Sequence, residues 1–204
     1  MAKTKLTKGE LKQQRDALRQ LRRYLPTLQL KKQQLQLEIL QHTRQLRQKE
    51  EEEKKTLSGI ERWAKLLADE GVDLRPFIIP ENIVSVPKNI AGVDIPVFDR
   101  AEFAPDEYDL FLMPHWIDFA VEALKELALI RAQIEVMEKG ISVLRQELRV
   151  TTQRVNLFEK VKIPEALESI RRIKIYLGDQ MANAVGRSKI AKRKIEALIA
   201  VEAA

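Results

Sequence analysis

Cysteine is absent from this chain, which removes disulfides and thiolate metal sites and fits a reducing compartment. Histidine is almost absent: His42 and His115 are the two in the sequence, and neither has a second histidine at metal-ligand spacing. His42 reads as a polar residue in a helix seam and His115 as a helix-start residue. Aromatic residues make up 5% of the chain and glycines number 7, too few for an aromatic core and glycine-rich loops. No signal peptide is recognised and no run of about 18 apolar residues occurs, so the expected location is the cytoplasm. A phosphate-cradling loop is also missing, because Gly186-Arg187-Ser188 has Met181 where the first glycine belongs. No catalytic, cofactor-binding or metal-ligating residues are therefore expected.

What the sequence has in quantity is leucine, lysine, glutamate, glutamine and arginine, the composition of an elongated α-helical protein. From Leu127 to Phe158 the apolar residues follow alternating steps of three and four: Leu127, Ile130, Ile134, Met137, Ile141, Leu144, Leu148, then Val155 and Phe158, with Thr151 between. That is the repeat of a left-handed coiled-coil seam. At roughly 1.5–3 kcal/mol per buried aliphatic side chain, the stripe supplies a large driving force only when a second helix covers it. The N-terminal region carries a matching stripe: Leu11, Leu18, Leu21, Leu25, Leu28, Leu35, Ile39 and Leu46, with Lys32 and His42 as polar exceptions. The expected fold is mainly α, a long antiparallel two-helix coiled coil formed by the N- and C-terminal segments, with a short β-hairpin and irregular insertion in the middle. Its parts are residues 1–70, 71–114 and 115–204.

Local signals set the boundaries. Thr7 and Glu10 read as a capping box opening the first helix. Pro26 lies inside the pattern but the heptad phase passes through it, which predicts a bent continuous helix, with a break as the alternative. A stutter follows Leu46 across the Glu50–Glu53 run, a solvated face, and Gly71 is the expected C-cap. Six prolines between Pro76 and Pro114 exclude a long helix there, while Ile83, Val84 and Val86 and then Val93, Ile95 and Val97 read as two short strands around Asn89-Ile90-Ala91-Gly92. A helical turn is expected after Pro105. Pro114 suits the start of the returning helix, in which Gly140 costs about 1 kcal/mol relative to alanine unless a backbone approaches it closely. Near Val161-Lys162-Ile163-Pro164 the phase slips, and a second kink is expected at Pro164.

Charge is divided unevenly. Residues 1–56 hold 15 basic and 7 acidic side chains, residues 57–126 hold 6 and 14, and residues 127–204 hold 15 and 9. Paired basic termini and an acidic middle imply different partners for each. Lys3, Lys5, Lys8, Arg187, Lys189, Lys192 and Arg193 form the expected basic tip. Such charge also suits phosphate, but the terminal arms offer only Tyr24, Phe158 and Tyr176 for base stacking. Alanines 182, 184, 191, 197 and 200 suit packing inside a protein sleeve better. A structural or nucleic-acid-binding coiled coil stays open as the alternative.

Lys5-Leu6-Thr7-Lys8 before the first coiled-coil arm, Asn89-Ile90-Ala91-Gly92-Val93 with Ile95-Pro96, and Arg154-Val155-Asn156-Leu157-Phe158-Glu159 leading to Ile163-Pro164 occur in this order. Together they resemble the D subunit of the A/V-type rotary ATPases, in its bacterial branch, while Leu25-Pro26-Thr27-Leu28 and residues 178–186 depart from that pattern. The resemblance implies a non-catalytic central-stalk rotor shaft that couples ATP hydrolysis or synthesis to H+ or Na+ transport. It implies paired termini inside a ring of A and B subunits, contacts with the F subunit and with a C/d-type socket subunit, no cofactor, no nucleic acid, and peripheral membrane attachment only through the complex. On that reading the basic tip meets the ring, and the hairpin residues Ile90, Ala91, Gly92, Val93, Ile95 and Val97 meet stalk partners.

Overall fold

The computed structural model describes residues 5–65, 74–105 and 114–202. In chain order these form α1 (Lys8–Glu61), a short α2 (Arg75–Ile78), β1 (Asn82–Ile90), β2 (Val93–Glu102), α3 (Ile117–Leu157), a π-helical turn (Phe158–Lys162) and α4 (Ile163–Glu202). Two compact units are present, residues 31–151 and residues 1–30 with 152–204. No described helix is long and apolar enough to cross a membrane.

In the unit of residues 31–151, α1 and α3 run antiparallel. Lys31 Nζ meets Glu147 Oε1 at 2.9 Å and Arg131 Nε meets Glu53 Oε1 at 2.8 Å, so partner numbers fall on α3 as they rise on α1. These pairs are partly exposed and contribute about 0.2–1 kcal/mol each; they fix register more than they stabilise. The stabilising contacts are apolar. Leu35, Leu144 and Ile95 form one buried cluster, with Ile39, Leu148, Ile90, Ala91 and Val93 packed around it. A second cluster joins Leu74, Ile117, Ala120 and Val121, with Trp63, Phe77, Ile78, Trp116 and Leu124 against them. There Trp63 and Phe119 meet edge to face, their ring centroids 5.6 Å apart.

β1 and β2 pair antiparallel through the two-residue turn Ala91-Gly92, and both turn residues have positive φ, 52° and 75°. Positive φ at both central positions is the mirror-image turn that matches strand twist. Glycine adopts it freely, whereas Ala91 bears some strain. Asn89 supports the turn by accepting the Gly92 N–H on Oδ1 and donating to Asp94 Oδ1. Pro87 lies directly opposite Pro96. Counting from the turn, that is a non-hydrogen-bonded pair whose missing N–H groups would point outward, so neither proline interrupts the ladder.

In the other unit, the N-terminus of α1 forms half of the expected capping box. Glu10 N–H donates to Thr7 Oγ1 at 3.2 Å, but the Glu10 carboxylate accepts from Gln14 Nε2 instead of returning to Thr7. Val155, Ala166, Ile170 and Ile173 are buried here. The helix passes through Pro26 without a break. Pro164 follows a π-helical turn in which the Ile163 N–H reaches the Phe158 carbonyl, so the backbone stays helical on both sides of the phase slip.

One expectation needs correction and two fall outside the described residues. α1 ends at Glu61 rather than near residue 70. The Trp63 N–H donates to the Ile60 carbonyl three residues back at 3.0 Å, closing the helix with a tight turn that places the indole in the second cluster. Gly71 and the turn expected after Pro105 lie outside the described residues. Truncating Leu35 or Leu144 to alanine should lower unfolding free energy by about 2–5 kcal/mol in denaturant titration. Leu37→Ala, on the exposed side of α1, should change it by less than about 0.5 kcal/mol.

Candidate functional site

Among the described residues no cluster of three or more histidine, cysteine or acidic side chains is placed to hold a metal ion. Two surfaces stand out. The hairpin is the first. Ile95 is 2% exposed, and Leu35 and Leu144 below it are fully covered. Ile90, Ala91 and Val93 pack on the same cluster. Most of the hairpin residues assigned to a partner thus already bind the chain's own helices, while Gly92 is exposed at the turn and Val97 keeps 37% of its surface. Val86, opposite Val97, is half exposed; the sequence places it on a strand but not on the partner surface, and cross-strand pairing is the signal that adds it.

Gly140 explains how the hairpin sits so close. A Cβ at this position would lie 3.4 Å from the Pro96 carbonyl oxygen and 3.8 Å from Ile95. The glycine lets the α3 backbone approach β2 and cover part of its edge, the arrangement that blocks further strand pairing. Beside this contact is a cavity of about 370 Å³ between α1, α3 and the hairpin, lined by His42, Lys88, Val97, Phe98 and Met137 among others. His42 lines this space between the helices and the hairpin.

The terminal arms supply the second surface. Along the seam, Leu18, Leu21, Leu25, Leu28, Ile134, Met137, Leu148 and Phe158 are half-buried, and Leu35, Ile141, Leu144 and Val155 are buried. Past Leu177 the pattern changes: every described side chain of α4 from Gly178 to Ala197 is exposed. Met181, Val185, Ile190 and Ile195 each keep between 56% and 60% of their surface. Apolar and basic side chains are interspersed there with no described residue of this chain covering them.

The basic tip is not one cluster. Lys5 lines a cleft with Lys160, Lys162 and Arg172, whereas Arg187, Lys189, Lys192 and Arg193 lie on α4 beyond it, Arg187 about 22 Å farther along the helix at 1.5 Å per residue. All four are exposed, and Lys192 is loosely paired with Glu196 at 3.7 Å. Lys8 is exposed at the start of α1, and Lys3 lies outside the described residues.

Comparison with known proteins is extensive. The family model for the ATP synthase D subunit matches residues 10–193. The V-type ATP synthase D subunit of Borreliella burgdorferi is 44% identical over 195 residues, covering 96% of each chain. That of Chlamydia pneumoniae is 35% identical over 196 residues, covering 94% of this chain and 93% of its own. That of Chlamydia muridarum is 34% identical over 197 residues, covering 94% and 96%.

A larger residue at position 140 should separate helix and hairpin. Gly140→Leu is expected to destabilise the chain by about 1–3 kcal/mol and to speed amide exchange selectively in β1 and β2. Unchanged exchange in both strands would show that the close approach is not what holds the hairpin.

Proposed function

The chain belongs to the family of ATP synthase D subunits, and on that premise we propose that it is the non-catalytic shaft of a V-type rotary ATP synthase, coupling ATP chemistry on other subunits to ion transport. The observation that carries this reading is the exposed stretch of α4 beyond Leu177, which combines apolar and basic side chains along an uncovered helix. A helix in this state is stabilised by surroundings more than by its own propensity. A ring of catalytic subunits around the terminal arms would supply them. Arg187, Lys189, Lys192 and Arg193 then face the inner wall of the A and B ring, together with the N-terminal lysines 3, 5 and 8.

The hairpin, docked on Leu35 and Leu144, presents Val86, Val97 and Gly92 toward stalk partners such as the F subunit, and the far end of the stalk meets the socket subunit. Attachment to the membrane is peripheral and runs through the complex. The nucleic-acid alternative is not favoured, because relatives covering nearly the whole chain are ATP synthase subunits. A shaft acts by being asymmetric and stiff: as it turns, it favours a different conformation at each surrounding site through differential contact.

Removal of residues 1–8 and 188–204 from the chain in its assembled complex should leave the catalytic subunits able to turn over ATP but reduce ion transport per ATP several-fold. Ion transport per ATP equal to that of the intact complex would refute the assignment of the terminal arms to the ring.

A further inference from the structure

Two apolar patterns in the unit of residues 31–151 are each broken by a polar residue, and the two exceptions meet. The seam of α1 runs Leu35, Ile39, His42, Leu46, so an imidazole stands where the spacing calls for an aliphatic side chain. Lys32, the other polar seam residue, can carry its charge to water on a long apolar stem; His42 is too short for that. On the ribbon, Val86, Lys88 and Ile90 pair with Val97, Ile95 and Val93, and alternate residues of a strand share a face. That face is the one that carries Ile95 into the core, so Lys88 is the polar residue on the inward side. Both His42 and Lys88 line the cavity of about 370 Å³ between α1, α3 and the hairpin. Breaks in an otherwise consistent pattern fall at functional or strained positions, and here two coincide.

The other polar groups of the cavity converge from different elements. Gln41, His42 and Gln45 lie within about 6 Å along α1 at 1.5 Å per residue, Lys88 enters from β1 and Gln133 from α3. Among the described residues none of these side chains has a hydrogen bond or ion pair, and no buried side-chain nitrogen or oxygen lacks a partner, so these groups open onto the space itself. Each amide both donates and accepts, as does a neutral imidazole. Phe98 and Met137 supply the apolar part of the lining, an aromatic ring and a polarizable thioether that both pack well on flat rings. The charges of Lys88 and of Glu38, also on the lining, offset each other. The volume falls within the range of about 300–1,000 Å³ found for small-molecule sites.

We infer that this cavity binds a flat heteroaromatic molecule with hydrogen-bonding edges, of the size of a purine nucleoside, and that Lys88 favours a form carrying a phosphate. The amides and His42 meet the edge of the ring system, and Phe98 and Met137 meet its face. Because the lining comes from α1, α3 and both strands, an occupant holds the ribbon on the helix pair, and docking and binding favour each other by the same factor. An aliphatic side chain at position 42 would complete the seam, so the chain keeps His42 at a loss of burial, the trade between stability and function seen at binding sites. The site belongs to this chain alone and does not depend on the shaft role.

The test uses the isolated full-length chain. Adenosine, adenosine 5′-monophosphate and inorganic phosphate are titrated separately while the amide signals of Ile95 and Gly140 and the ring signals of His42 are followed by NMR. Adenosine should give saturable shifts at these residues, half complete below about 1 mM. The monophosphate should bind about tenfold more tightly and should slow amide exchange in β1 and β2, whereas phosphate alone should shift nothing there. Lys88→Gln should remove the advantage of the monophosphate and leave adenosine binding in place. His42→Leu should abolish both and raise the denaturation midpoint. Absence of saturable shifts with either nucleoside form, the same shifts with phosphate alone, or undiminished binding by folded His42→Leu overturns the assignment.

Discussion

The apolar contact among Leu35, Leu144 and Ile95 is the constraint on which the rest of the unit of residues 31–151 depends. Two helices bury only a narrow seam, and a third element widens it. Here the hairpin inserts Ile95 between the helices, so that one contact joins α1, α3 and the ribbon. A two-stranded ribbon is marginal by itself in water. Docking on the helix pair gives it a fixed position, and Gly140 permits the close approach. Polar contacts such as Lys31–Glu147 then select the register within a structure already held by burial.

This division between inner and outer surfaces also organises function. Residues that hold the hairpin are not available to a partner, so the surface open to partners is smaller than the apolar content of the ribbon suggests. The reverse holds at the end of α4, where seam-like side chains continue past the last buried position without cover. Charge follows the same division: Arg187 to Arg193 lie on the uncovered helix, and the ion pairs with long sequence separation lie between α1 and α3.

Much of this was legible in the sequence because the relevant physics is periodic. The seam at Leu127 to Leu148, the helix start at Thr7, the continuous passage through Pro26 and the two strands around Ala91-Gly92 follow from spacing, capping and turn chemistry. The π-helical turn was visible only as a phase slip before Pro164, since one additional residue can be absorbed by a kink, a bulge or a break. The end of α1 was missed because its cause is tertiary: Trp63 turns into a cluster built with Ile117, Ala120 and Val121 far along the chain. Inward docking of the hairpin was likewise hidden, because alternation identifies an apolar face without saying whether this chain or another covers it.

Rotation of this chain against the catalytic subunits is what the shaft role requires. A single cysteine introduced at the exposed Ser85, in a sequence that has none, allows a bead to be attached to the hairpin of the assembled complex while the catalytic subunits are fixed to a surface. With ATP supplied, the bead should rotate continuously in one direction. A bead that stays fixed relative to the catalytic subunits while those same complexes hydrolyse ATP and transport ions would contradict the shaft.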